Sequence, residues 1–306
     1  MTIDKFSDLK ITADGSERAY VDPLHLKTVW FNIGTRCNLT CENCYIESSP
    51  TNDELVYIND SEVKIFLNEI QKDFTHVQLI GLTGGEPFLN PSIMKIIESV
   101  LSTGLDILVL TNAFKAVERH LDKLSELTKL YQDKLHIRIS LDHYTKELHE
   151  KERGEKTFER TLQNIQKLYN QKINISIAGR SLMSEKQNES KAHYHHLFQK
   201  MGVQLSEDKM VIFPEMDLNK SVPEITTACW DILKVSPSQQ MCASERMIVK
   251  RKGQDNLTVL PCTLIAYDER FNMGHSLKEG NQRVYLCHKF CAQFCVLGGA
   301  SCSAVK

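Results

Sequence analysis

Three cysteines stand within eight residues, Cys37, Cys41 and Cys44, in the spacing C-x3-C-x2-C. Three thiolates that close on one loop can wrap a face of a cubane iron–sulfur cluster. Three ligands for its irons leave one iron open, which a substrate-binding cluster requires. Zinc is the alternative, and it prefers two cysteine pairs or a fourth Cys or His at compatible spacing. No neighbour supplies one, since the nearest histidines are His25 and His76. Seven more cysteines follow a long gap: Cys229, Cys242, Cys262, Cys287, Cys291, Cys295 and Cys302. Disulfides are the competing use. The opening MTIDKFSDLK lacks the segments of a signal peptide, and no run of about 18 apolar residues offers a membrane span. A cytoplasmic chain is therefore expected. In a reducing compartment clustered cysteines more often bind metal than pair.

The element that positions the first cysteines is a strand expected at 28–33 (TVWFNI), marked by β-branched and aromatic residues. Further strands are expected at 76–82, 106–111, 135–141, 173–178 and 210–213. Apolar residues at helical spacing fill the intervals. Ser61 caps a helix carrying Val63, Phe66 and Ile70, and Pro91 opens one carrying Ile93, Ile96, Ile97 and Val100. Other helices are expected at 114–131, 156–171 and 186–201. Strand–helix alternation implies a parallel sheet with right-handed crossovers. About six such units make an α/β fold, a partial (βα)6 barrel rather than a closed eight-stranded one. Chemistry in such sheets sits beyond the C-terminal strand ends, where the cysteine loop falls.

Beyond about residue 222 the pattern changes. Arms at 247–250 and 257–260 around Gly253 read as a hairpin, with Cys242 before and Cys262 after. A small cysteine-dense region of this kind usually needs metal to fold. The expected division is a lead-in (1–27), a barrel (28–221) and a small cysteine-rich C-terminal extension (222–306).

These features, in this order, resemble the radical S-adenosylmethionine (radical SAM) superfamily. The cysteine motif follows the first strand, and Thr83-Gly84-Gly85-Glu86-Pro87 follows the second, like the family's GGEP motif. Thr111-Asn112 ends the third strand and Ser140-Leu141-Asp142 the fourth. The resemblance covers roughly residues 28–215. It implies a [4Fe–4S] cluster on Cys37, Cys41 and Cys44, whose open iron chelates the amino and carboxylate groups of SAM. Reduction then yields methionine and a 5′-deoxyadenosyl radical that takes a hydrogen atom from the substrate. Gly84 and Gly85 let the backbone approach a ligand closely, and Glu86 is the expected partner of cationic SAM. Thr111, Asn112, Ser140 and Asp142 suit ribose hydroxyls or the SAM carboxylate, with helix capping as their other use. Arg180 ends the fifth strand and either clamps a carboxylate or forms a surface ion pair. Many members carry an aromatic residue before the third cysteine, against adenine. Here that residue is Asn43, so Tyr45 becomes the adenine candidate, with a core position as its alternative.

The C-terminal part resembles the SPASM/Twitch extensions of peptide-modifying radical SAM enzymes. Those open with a cysteine, a glycine-turned hairpin and a second cysteine, as in Cys242, Gly253 and Cys262. The ending, C-x3-C-x3-C-x6-C, departs from the full SPASM spacing. The resemblance implies an auxiliary [4Fe–4S] cluster with ligands from Cys242, Cys262, Cys291, Cys295 and Cys302; structural zinc is the alternative. Cys287 and Cys229 suit it less, and Cys229 beside Trp230 reads as a packing residue. Gly298 and Gly299 permit a turn that brings Cys302 back. Lys250, Arg251 and Lys252 read as a solvated turn or a site for an acidic partner. Glu215, Asp217, His143, Tyr144 and His149 follow strands and are candidates for the pocket or for exposed loops.

Composition limits the partners. Lys+Arg is 37 and Asp+Glu 39, for a net charge of −2, so no basic field draws nucleic acid or an anionic membrane. The expected function is oxidation or crosslinking of a peptide or protein, with flavodoxin or ferredoxin as reductant. Two alternatives stand beside it: modification of a small metabolite, and a non-catalytic iron–sulfur electron carrier or redox sensor. Peptide maturases often carry a winged-helix recognition domain before the barrel. The lead-in of roughly 27 residues is too short for one, which weighs against the peptide reading. A sensor has no use for a SAM pocket, which weighs against the last.

Overall fold

The computed structural model describes residues 4–181, 185–214 and 221–299. A short strand, β1 (Tyr20–Val21), precedes six strands in chain order: β2 (Thr28–Asn32), β3 (Leu79–Thr83), β4 (Asp106–Thr111), β5 (Leu135–Ser140), β6 (Asn174–Ser181) and β7 (Met210–Pro214). These six lie side by side and parallel. Helices fill the crossovers: α1 (Asp60–Asp73), α2 (Ile93–Ser102), α3 (Leu121–Tyr131), α4 (Lys146–Arg153), α5 (Thr157–Asn170) and α6 (Gln187–Lys200). The expected α/β architecture, a partial barrel of parallel strands, is present.

The C-terminal hairpin, β8 (Glu245–Val249) and β9 (Thr258–Leu260), joins the same sheet. β8 runs parallel to β2, with Thr28 opposite Glu245, and β9 runs antiparallel to β8. The physical reason lies in β2, all five of whose residues are buried. Its outer edge would leave backbone N–H and C=O groups unpaired without a neighbour. Trp30 fastens the junction, its Nε1–H donating to Glu245 Oε2 at 2.7 Å. Gly81 on β3 makes room for that ring: a Cβ there would lie 2.2 Å from Trp30 Cε3.

The sheet is buried on both faces, so its strands read as apolar runs. In β4, Ile107 and Val109 pack toward the helices, while Leu108 and Leu110 pack inside the barrel with Trp30, Met247 and Val249. Several boundaries differ from expectation. Asn59, not Ser61, caps α1: its side chain accepts the Glu62 N–H at 3.1 Å while Glu62 Oε2 accepts the Asn59 N–H at 2.8 Å. Ser92, not Pro91, precedes α2. The helix expected at 114–131 opens as a 3-10 turn, Ala116–His120, before α3. α4 was not expected, because KELHEKER carries no apolar stripe; only His149 and Glu152 on it are buried.

The described part of the lead-in packs against the C-terminal region. β1 pairs with β10 (Val284–Tyr285), and the buried Arg18 guanidinium meets Glu224 at 2.6 Å. Glu224 also accepts the backbone N–H groups of Phe6 and Ala13. A short helix, α7 (Cys229–Leu233), follows. No helix among the described residues is long and apolar enough to cross a membrane.

Candidate active site

The C-terminal ends of β2 to β7 surround a cavity of about 200 Å³. Cys37, Cys41 and Cys44 enter it from the loop after β2. Of the sequence-predicted residues, Tyr45, Gly84, Gly85, Thr111, Asn112, Ser140, Asp142 and Arg180 also line it. Glu86 is buried but is not among the lining residues.

Gly84 and Gly85 have a local reason. The Gly85 N–H donates to Gly34 O at 2.8 Å and the Glu86 N–H to Arg36 O at 3.1 Å. A Cβ on Gly85 would lie 2.3 Å from Arg36 O, and one on Gly84 2.4 Å from Gly34 O. The absent side chains therefore let the β3 turn seat against the backbone leading into Cys37. Glu86 ties the same turn to β4. It accepts from the Thr111 hydroxyl at 2.8 Å, the Asn112 N–H at 2.8 Å and the Phe88 N–H at 3.0 Å. Burial pushes its carboxyl up to about 7, and the donors from Asn112, Phe88 and Thr111 oppose that rise.

A charged network closes the other side. Asp142 meets Arg153 at 2.6 Å and Arg180 at 3.1 Å, and Arg180 meets Glu152 at 3.3 Å. Asn43, where an aromatic residue was expected, donates Nδ2 to both Glu152 oxygens at 3.0 Å. Burial works to raise the Asp142 carboxyl, but Arg153 and Arg180 together hold it down at about 2.

Cys37 and Cys41 sit in a place that disfavours a free thiolate. Burial pushes the Cys37 thiol up to about 12, with Glu86 and Cys41 adding to the rise, and burial also raises Cys41. Cys37, Cys41 and Cys44 are all free thiols. Among the described residues, no three His, Cys, Asp or Glu side chains converge on one point as a single metal ion demands. Three sulfurs that line one cavity suit a cluster, where each binds a separate iron.

Residues 31–196 match the radical SAM superfamily. The chain belongs to that superfamily. It is similar to the antilisterial bacteriocin subtilosin biosynthesis protein AlbA of Bacillus subtilis, 32% identical over 170 residues covering 55% of this chain and 35% of AlbA. It is also similar to a GTP 3′,8-cyclase of Microcystis aeruginosa, 30% identical over 142 residues covering 43% of this chain and 40% of the cyclase. It thus spans less than half the length of either relative. Among solved structures, Streptococcus suis SuiB bound to S-adenosylmethionine shares the fold. The TM-score is 0.59 at 11% identity, covering 81% of this chain and 63% of SuiB.

A radical SAM enzyme requires a [4Fe–4S] cluster and SAM, and the donor set fits both. Thiols that burial keeps protonated become good ligands once a metal takes the charge. The polar rim around Ser140 and Arg180 offers donors and acceptors to an amino acid and a ribose.

A second cavity lies nearby. Cys242, Cys262, Cys291 and Cys295 line it, among Met241, Ile265, Leu286 and Phe290. Cys291 and Cys295 come from one π-helical turn, Cys291–Val296. Burial pushes Cys242 and Cys262 up to about 12 and also raises Cys291 well above its usual range. Four thiols around one apolar space fit a closed auxiliary cluster of the SPASM/Twitch kind. Cys287 is turned away: its Sγ–H faces Phe6 O and Asp8 O at 3.2 and 3.1 Å. Cys229 lines neither cavity, its sulfur accepting the Thr226 N–H at 3.4 Å. Cys302, Glu215 and Asp217 lie outside the described residues. Leu264 borders both cavities, and Phe294, on the turn that carries Cys291 and Cys295, borders the first.

His143, Tyr144 and His149 line neither cavity. Tyr144 stacks between His143 and His193, and its hydroxyl donates to Glu185. Two residues of the basic run are partly covered and paired, Lys250 with Glu62 and Arg251 with Glu269, while Lys252 stays exposed beside Asp53. Sequence reasoning missed Arg138, Glu152, Arg153, Phe213 and Phe294. Arg138 left one signal, a charge inside the apolar strand LHIRIS. It is buried and borders the cavity two residues below Ser140.

Proposed function

We propose that this radical SAM enzyme oxidises or crosslinks a peptide or protein substrate. The observation that carries the reading is the pair of cysteine-lined cavities, one polar-rimmed with three cysteines, the other apolar with four, sharing Leu264 as a wall. AlbA is named for bacteriocin biosynthesis, and SuiB has been solved bound to its precursor peptide SuiA. Cys37, Cys41 and Cys44 are assigned to the SAM cluster, and Cys242, Cys262, Cys291 and Cys295 to the auxiliary one. When bound, cluster and SAM supply a 5′-deoxyadenosyl radical for hydrogen-atom abstraction.

The chain's own residues then have these roles. Tyr45 packs beside the adenine. Ser140 and Arg180 face the SAM carboxylate, and Asp142 holds Arg180 in place. Gly84 and Gly85 seat the cysteine loop, with Glu86 and Thr111 fastening β3 to β4. Phe213, Leu264 and Phe294 form the apolar wall that keeps water from the reacting carbon. Functionally, residues 28–221 serve SAM, 222–306 serve the auxiliary cluster, and 1–27 strap the latter. The compartment is the cytoplasm, where thiolate ligands stay reduced, and flavodoxin or ferredoxin supplies the electron.

The cyclase similarity favours a small-metabolite substrate as second reading. A nucleotide triphosphate needs cationic groups beyond those that SAM uses, yet Arg153 is engaged by Asp142, and Arg180, shared with Asp142 and Glu152, is assigned to the SAM carboxylate. The test is co-expression with candidate short precursor peptides, including any encoded beside its gene, followed by mass spectrometry. A peptide that loses two hydrogens only when Cys37 is intact is the expected result. Turnover of GTP with no change in any peptide would overturn the reading.

A further inference from the structure

Asn112 departs furthest from its expected role as a SAM contact, because every polar group on it is already directed. Its backbone N–H donates to Glu86 Oε2 at 2.8 Å, and its Oδ1 accepts the Phe114 N–H at 2.9 Å. Its Nδ2 faces Asn38 Oδ1 at 2.8 Å and Cys37 Sγ at 3.6 Å. A backbone N–H can only donate, so the Phe114 contact fixes which end of the amide is oxygen. The amide nitrogen is thereby held toward the sulfur. Thr111, bonded to both Glu86 oxygens, holds the segment from the other side. Glu86, which does not line the cavity, thus reaches the first cysteine through Asn112.

We infer that Asn112 is a positioning residue whose amide donates an N–H···S hydrogen bond to the Cys37 thiolate and raises the reduction potential of the SAM cluster. The inference rests on Cys37 being a cluster ligand and is independent of the substrate. A donor at sulfur draws charge from the thiolate, which favours the more negative, reduced cluster. Cys44 has a donor of its own, the Ser48 backbone N–H at 3.3 Å, which no side-chain substitution removes. Asn112 is a side chain through which the sequence adjusts this potential.

The test is an EPR-monitored redox titration of the full, anaerobically reconstituted protein, following the signal that changes when SAM is added. Asn112→Leu removes the donor without adding charge. Asn112→Asp keeps the acceptor for the Phe114 N–H and replaces the donor with oxygen. Both variants should titrate at a more negative potential than the parent. A neutral Leu variant that holds its iron and titrates at or above the parent would overturn the inference. Should neither variant retain the cluster, the unmodified protein decides, after labelling its asparagine amides with nitrogen-15. Pulsed EPR of the reduced cluster must show coupling to a labelled side-chain nitrogen, and no coupling overturns the proposal. A cluster that survives Cys37→Ala with its SAM response intact would instead refute the ligand assignment.

Discussion

Single residues decide the charge balance at the rim. Asp142 carries a folded-state value of about 2 because Arg153 and Arg180 outweigh its burial. A depressed carboxylate contributes stability that is complete above its unfolded value of about 4 and fades as pH falls toward the folded one. Acid should therefore weaken the protein between about pH 4 and pH 2 through this group. Arg153→Met should cost about 3 kcal/mol at neutral pH, because it strips a partner from a buried charge. Adding Asp142→Asn should recover part of that loss, as read by urea unfolding of the reconstituted protein. Equal stability of parent and Arg153→Met would show that the pair carries no weight. The sequence exposed Asp142 and Arg180 because each ends a strand, but not Glu152 and Arg153. Those two lie on a helix without apolar periodicity, and their value comes from contacts reached only after folding.

At the scale of elements, the β3 turn and the cysteine loop fold as one unit. The glycine pair was legible in the sequence, but its use was not. Gly84 and Gly85 border the cavity, yet the tightest approach is to backbone 34–36. Gly85→Ala would set a Cβ 2.3 Å from Arg36 O and 2.6 Å from Thr35 O, both main-chain atoms. The loop must shift, so iron content should fall by about four per chain while the auxiliary signal remains. Gly104→Ala makes the control, since nothing lies within 4 Å of its Cβ. It should cost about 1 kcal/mol from its positive φ and no iron. Unchanged iron in Gly85→Ala would separate the turn from the cluster. The six parallel strands were readable from β-branched runs between amphipathic helices. Placement of β8 was not, because pairing with β2 depends on an edge more than 200 residues away, as Trp30 and Glu245 show.

Across the whole molecule, the cysteines divide by position rather than by spacing. The count suggested more thiols than one auxiliary cluster needs, and the tail spacing could not choose among them. Among the described residues, Cys242, Cys262, Cys291 and Cys295 face one space, while Cys287 faces the strap formed by the lead-in. Cys291→Ala should therefore remove about four irons per chain, and Cys287→Ala none. Loss of iron from Cys287→Ala with retention in Cys291→Ala would reverse the assignment. Tyr267, just beyond Cys262, donates to Ile46 O at 2.7 Å and so links the two cysteine regions.

The central claim is that Cys37, Cys41 and Cys44 hold a cluster that cleaves SAM. The most direct measurement incubates the reduced, reconstituted protein with SAM and quantifies 5′-deoxyadenosine by chromatography, beside the Cys37→Ala/Cys41→Ala/Cys44→Ala variant. The parent should form 5′-deoxyadenosine and methionine, and the variant should form neither. Equal product from both, or none from a parent that carries its iron, would contradict the account.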